Sequence, residues 1–137
     1  MLRIGEAIML GTDTATGNKF SELNDDTFIL EAEIVELFNK PSFPLGKRSV
    51  DAFGRVQKYK NRGPMNRAIL SIGRQDIEES MLTPIDDVEV IGASSDHVII
   101  NVKDGEYKVG DIVHFKVQYG SLLRLFTSPY VKKEYRR

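Results

Sequence analysis

Residues 28–38 read Phe-Ile-Leu-Glu-Ala-Glu-Ile-Val-Glu-Leu-Phe, and the fold class turns on whether that run is a strand or a helix. Phe28, Leu30, Ala32 and Ile34 fall on one side and Glu31 and Glu33 on the other, the two-residue alternation of a half-buried strand. Val35, Leu37 and Phe38 disturb both the strand and the helical pattern, so the strand reading is the better of the two. Working outward, further strands are expected at RAILSIG (67–73), VEVIGA (88–93), HVIINVK (97–103) and DIVHFKVQY (111–119). Turn residues stand at Asp104-Gly105 and Gly110-Asp111. Residues 97–117 carry the clearest hairpin signal in the chain. Within it Val113, Phe115 and Val117 share one face, and His114, Lys116 and Gln118 the other. Many short strands, frequent turns and few helical windows predict an all-β barrel or sandwich with at most one or two short helices. One helix is placed at Asp76–Leu82, where the acids suit a first turn.

Ahead of this lies GTDTATGNKFSELNDDT (11–27), rich in turn formers and poor in periodic apolar residues, which reads as a connector. Before it, Leu2, Ile4, Ala7, Ile8, Met9 and Leu10 read as an apolar strand that starts with no capping turn, as if cut from something larger. Residues 1–27 are therefore expected to be a strand remnant plus connector, and 28–137 a β domain.

The 137 residues suffice for one packed domain. Cysteine is absent and there are two histidines, which excludes disulfides and leaves too few ligands for a structural zinc site. A reducing, cytoplasmic setting is expected. Lysine plus arginine number 19 against 20 acids, so no global field draws the chain to nucleic acid or anionic lipid. The opening apolar run is too short to span a bilayer and lacks a cleavage signal. A basic stretch, Lys47, Arg48, Arg55, Lys58, Lys60, Arg62 and Arg67 with Phe53 and Tyr59 interleaved, reads as a solvated loop or an entrance for anionic groups rather than a nucleic-acid surface.

Three stretches can carry chemistry. Arg3-Ile4-Gly5-Glu6 puts a glycine where backbone amides can approach an anion. Gly73-Arg74-Gln75-Asp76 and Gly92-Ala93-Ser94-Ser95-Asp96-His97 are polar loops between apolar strands. Taken alone, the last is also a common turn composition in which Asp96 caps its own loop. His97 alone reads first as a hydrogen-bonded structural histidine, with tuning of Asp96 or proton shuttling as the lesser reading, and His114 as a solvated one.

Arg3-x-Gly5 with its apolar run and Gly11, FILEAEIVELFNKPSFPLGKRSVDAFG (28–54), RAILSIGRQD (67–76), VIGASSDHVIINV (90–102) and TSPYV (127–131) together resemble the alanine racemase family. Those enzymes use pyridoxal phosphate on a β/α barrel followed by a β domain. IGRQD and GASSDH are most similar to an ornithine and alanine racemase-like subgroup. The resemblance covers nearly the whole chain and implies the C-terminal β domain of a cytoplasmic homodimer, in which it shapes a substrate site at the dimer interface. Its partners would be the N-terminal barrel of the same protein and an amino acid substrate.

By that resemblance Arg3 would meet the cofactor's pyridine nitrogen, and the amides near Gly5 and Glu6 its phosphate. A guanidinium keeps its proton, so the ring nitrogen would stay unprotonated, which favours racemisation over transamination. Related decarboxylases of basic amino acids carry glutamate there, so Arg3 favours the racemase. Asp96 would bind the far ammonium of ornithine or lysine, with Ser95 and Tyr130 beside the substrate. Arg74 stands where the family has a catalytic tyrosine, so the second base is missing. Asp76, Asp96, His97 or Tyr130 would have to replace it, while Arg74 could hold the substrate carboxylate. The Schiff-base lysine would belong to the barrel, leaving this chain inactive alone. A decarboxylase domain and a self-contained β-barrel binding module are the competing readings.

Overall fold

The computed structural model describes residues 5–43, 54, 61–103 and 105–136. The stretch at 28–38 is a strand. It belongs to β1 (Ile29–Pro41), which is followed by β2 (Pro64–Leu70), a 3-10 turn at Glu79–Met81, β3 (Leu82–Pro84), β4 (Glu89–Ala93), β5 (Val98–Asn101) and β6 (Ile112–Val117). Helix α1 (Glu6–Leu10) precedes them and α2 (Tyr119–Thr127) follows. All six strands form one antiparallel sheet in the order β3-β6-β1-β2-β5-β4. The 3-10 turn that leads into edge strand β3 lies against the other edge, β4, so the sheet curls into a nearly closed barrel.

The irregularity at Val35 has a structural cause. A bulge sits between Ile34 and Glu36, and β1 changes partners there. Its first half, Ile29–Glu33, pairs with β6, and its second half, from Ile34 on, with β2. One extra residue resets the alternation and sharpens the twist, which a strand needs in order to serve two sides of a curled sheet. Leu30, Ala32 and Ile34 are buried, as are Val113, Phe115 and Val117 of β6. With Leu70, Val98, Ile100 and Ile77 they make one core, closed at one end by Leu122 and Leu125 of α2.

Three expectations are corrected. The hairpin read into residues 97–117 does not form: β5 pairs with β2 and β4, while β6 pairs with β1 and β3. Alternation decides which face is buried, and backbone pairing on both sides of β5 leaves no room for β6. The connection instead meets the β1 bulge, where Ile34 N donates to Asp111 O at 2.9 Å and Gly110 N to Ile34 O at 2.8 Å. The expected helix at Asp76–Leu82 shrinks to the 3-10 turn, because its residues run alongside β4 and α2 instead of coiling freely.

The opening run is helical, not extended, over Glu6–Leu10. Glu6 stands in the first turn, Ile8 N and Met9 N both donate to Gly5 O, and Gly11 ends the helix at φ +64°. Leu10 anchors it in the core. Arg3 lies outside the described residues, as do Lys47, Arg48, Phe53, Arg55, Lys58, Tyr59 and Lys60 of the basic stretch. Among the described residues, no helix is long and apolar enough to cross a membrane.

Candidate functional site

The two polar loops meet at one end of the sheet. Ile72 O accepts from Val98 N at 2.6 Å, Arg74 N donates to Ser94 O at 2.9 Å, and Gln75 N donates to Ser95 O at 2.9 Å. The fit is close because Gly73 has no side chain. A Cβ there would lie 2.3 Å from both Asp96 C and His97 N. The sequence thus folds GRQD and SSDH into a single backbone-locked unit.

From below, α2 and the segment after it hold that unit in place. Arg124 donates to Ile77 O at 2.9 Å and to Arg74 O at 3.3 Å, and its guanidinium stands 3.6 Å from Glu78. Ser121 accepts from Glu78 N and donates to Glu78 O, both at 3.0 Å. Ser128 donates to Asp76 Oδ1 at 2.6 Å, which ties the TSPYV stretch to the same loop. A groove of about 910 Å³ runs from there along β1, taking in Asp76 and Tyr130.

Each candidate side chain now has a place. Arg74 is buried, its Nε donating to both carboxylate oxygens of Glu79 at 2.9 and 3.0 Å and its Nη2 to Oε1. That guanidinium holds the Glu79 carboxyl below its ordinary value, against the opposing effect of burial. Arg74 is therefore a cation already neutralised within the domain. Asp96 is exposed and accepts Ser95 Oγ at 2.8 Å on Oδ2. The turn beneath it is closed by Ser94, whose Oγ accepts from His97 N at 3.2 Å and whose N donates to His97 O at 2.8 Å. His97 places its ring nitrogen Nδ1 3.2 Å from Leu70 O. Tyr130 is 77% exposed, with its amide on Ser128 Oγ at 3.1 Å. Gly5 and Glu6 lie at the start of α1, and a Cβ on Gly5 would meet nothing within 4 Å.

His114 belongs to a different place: its ring and its amide both bond Asp86 Oδ2, at 3.0 and 2.7 Å. Among the described residues there is no cluster of three or more histidines and carboxylates placed to hold a metal ion. Sequence reasoning missed Glu79, Arg124, Ser121 and Ser128, whose contacts set the loops. Glu79 lay in the acidic stretch read as a helix and Ser128 within TSPYV, while no feature of the sequence singled out Arg124 or Ser121.

A small antiparallel barrel that gathers a buried arginine, an exposed aspartate and an anchored histidine on two interlocked loops is a domain with a loop-built polar site. Its relatives give that class a context. The chain is 52% identical over 136 residues to an ornithine racemase of Acetoanaerobium sticklandii, covering 97% of this chain and 38% of that protein. It is 48% identical over 136 residues to a lysine racemase of Thermotoga maritima, covering 98% of this chain and again 38% of the relative. This chain is homologous to part of those racemases and spans little more than a third of their length. No family model matches the chain, and no solved structure does.

Proposed function

We propose that residues 28–137 are the C-terminal β domain of a cytoplasmic, pyridoxal-phosphate-dependent amino acid racemase that inverts ornithine or lysine as a homodimer, with residues 1–27 leading in from its β/α barrel. The observation that carries this reading is the identity of about half the residues, over nearly the whole chain, with two racemases whose names specify dibasic amino acids. The convergence of Arg74, Asp76, Ser95, Asp96 and His97 on one edge supports it, since these are the positions the family resemblance singles out.

Bound pyridoxal phosphate would supply the electron sink that acidifies the substrate's α proton. By the family resemblance the cofactor's phosphate would lie at the amides near Gly5 and Glu6, where a Cβ on Gly5 would meet nothing within 4 Å. Arg3 would stand against the ring nitrogen. Lys19, Lys40, Lys103, Lys116 and Lys132 each pair with a carboxylate, Lys133 bonds Ser128 O, and Lys108 is exposed; on the family resemblance the Schiff-base amine would come from the barrel. Asp96 Oδ1, left open beside the Ser95-bonded Oδ2, is the acceptor for the substrate's terminal ammonium.

The test compares the full-length protein with the 137-residue chain. The full-length protein should interconvert D- and L-ornithine or lysine and trap a borohydride-stable cofactor adduct, and the chain alone should do neither. Release of carbon dioxide without inversion would make it a decarboxylase. An adduct at one lysine of the isolated chain would overturn the assignment.

A further inference from the structure

Inverting a carbon by removing and returning a proton requires an acid–base group on each face of that carbon. On the racemase reading, on which this inference rests, the edge formed by residues 73–76 and 94–97 faces the substrate. We infer that His97 is the proton-transfer group this domain contributes, acting through Nε2.

The other titratable side chains at the edge are committed or displaced. Arg74 keeps its proton and is buried against Glu79. Asp76 is held by Ser128 Oγ at 2.6 Å, Asp96 is engaged on the same reading by the substrate's terminal ammonium, away from the α carbon, and Tyr130 projects into solvent from a segment tethered by its amide.

His97 differs in having one nitrogen anchored and the other open. Its Nδ1 lies 3.2 Å from Leu70 O, at the end of β2. A carbonyl oxygen can only accept, so Nδ1 carries the hydrogen. In the neutral ring, Nε2 then bears the lone pair. Among the described residues Nε2 has no partner. The backbone behind it cannot retreat, because His97 N is fixed by Ser94 Oγ and pressed against Gly73. A base oriented through its second nitrogen by a fixed acceptor is the arrangement that proton transfer requires.

In the step itself, Nε2 takes the α proton and the ring becomes a cation with both nitrogens protonated. The electron pair of the broken C–H bond stays with the substrate carbon. An ammonium on the opposite face returns a proton to form the new C–H bond, which inverts the centre. In the other direction the imidazolium gives its Nε2 proton back. Leu70 O accepts from Nδ1 in both states, so the ring does not have to turn over.

Two measurements test this. The first needs no activity. Long-range nitrogen–proton NMR of the 15N-histidine-labelled chain, taken where the ring is neutral, should show His97 as the Nδ1–H tautomer; an Nε2–H tautomer overturns the inference. The second uses the full-length protein in deuterium oxide. His97→Gln should lose racemisation by about a hundredfold or more. It should still exchange the α hydrogen of one enantiomer with retention, because the opposite base survives. A merely structural role would lower exchange of both enantiomers together, and that result, or unchanged racemisation, overturns the inference while leaving the racemase reading intact. A wild-type protein that exchanges neither enantiomer removes both.

Discussion

Arg74 shows how a residue type and its surroundings can assign different tasks. By sequence it is a forked cation in a polar loop, suited to a substrate carboxylate. Glu79 already occupies that fork, at 7% side-chain exposure for the arginine and 15% for the acid. Removing one member of such a pair leaves a buried charge uncompensated. Glu79→Gln should therefore cost about 3 kcal/mol in urea unfolding at neutral pH, whereas replacing both residues by apolar ones should cost much less. The pH dependence follows from the direction of the shift. Glu79 titrates lower in the folded chain than its ordinary 4.5, so its stabilisation is present above that value and fades as pH falls through the depressed one. Unfolding curves of Glu79→Gln across this acid range should lack that part of the decline; curves parallel to the wild type's would show that the pair is not what titrates. Asp25 behaves likewise at the surface. Hydrogen bonds from Lys116 and Lys19 hold it at about 2, so Asp25→Asn should flatten the stability profile between pH 3.8 and about 2.

Among the elements, the loop pair is held by contacts that a side-chain pattern does not display. Gly73→Ala would push a methyl group into the backbone of Ser95, Asp96 and His97, at 2.3 to 2.5 Å. Neither backbone is a flexible side chain that can swing away. The expected loss is about 1–3 kcal/mol, with amide resonances of Ser94–His97 shifting most; shifts spread evenly over the sheet would contradict the local account. The same distinction explains what could be read in advance. Burial of Leu30, Ala32 and Ile34, and of Val113, Phe115 and Val117, follows from alternation and was legible. Strand partners were not: a turn-rich stretch between β5 and β6 reads as a hairpin, and only the two-sided pairing of β5 rules it out. Helix α2 was missed because nine residues bury only Ser121, Leu122 and Leu125, too few for a persistent period, and follow directly on a strand. GRQD and SSDH could be singled out as polar interruptions of apolar strands, and TSPYV by its family resemblance. That Ser128 and Arg124 would hold them depends on long-range packing, 52 and 50 residues away along the chain.

At the scale of the whole molecule, the proposed role of Asp96 in substrate choice depends on whether that residue is structural or free to recognise a ligand. If the aspartate were needed to close its own turn, its loss would unfold the loop and damage every substrate alike. The turn is instead closed by Ser94 and backed by Gly73, and Asp96 accepts one hydroxyl from its neighbour Ser95. Its charge is therefore available to a cation of the substrate. A charge-assisted bond to a terminal ammonium contributes about 1.5–3 kcal/mol, and alanine has no such group to offer. If the full-length protein is the proposed racemase, Asp96→Ala should accordingly lower its kcat/KM for ornithine about 10- to 100-fold, and leave that for alanine within a few-fold. An equal fall for both substrates would return Asp96 to the scaffold and move dibasic recognition to another part of the protein. A retained preference for ornithine would do the same, without any loss of the fold that places the loop.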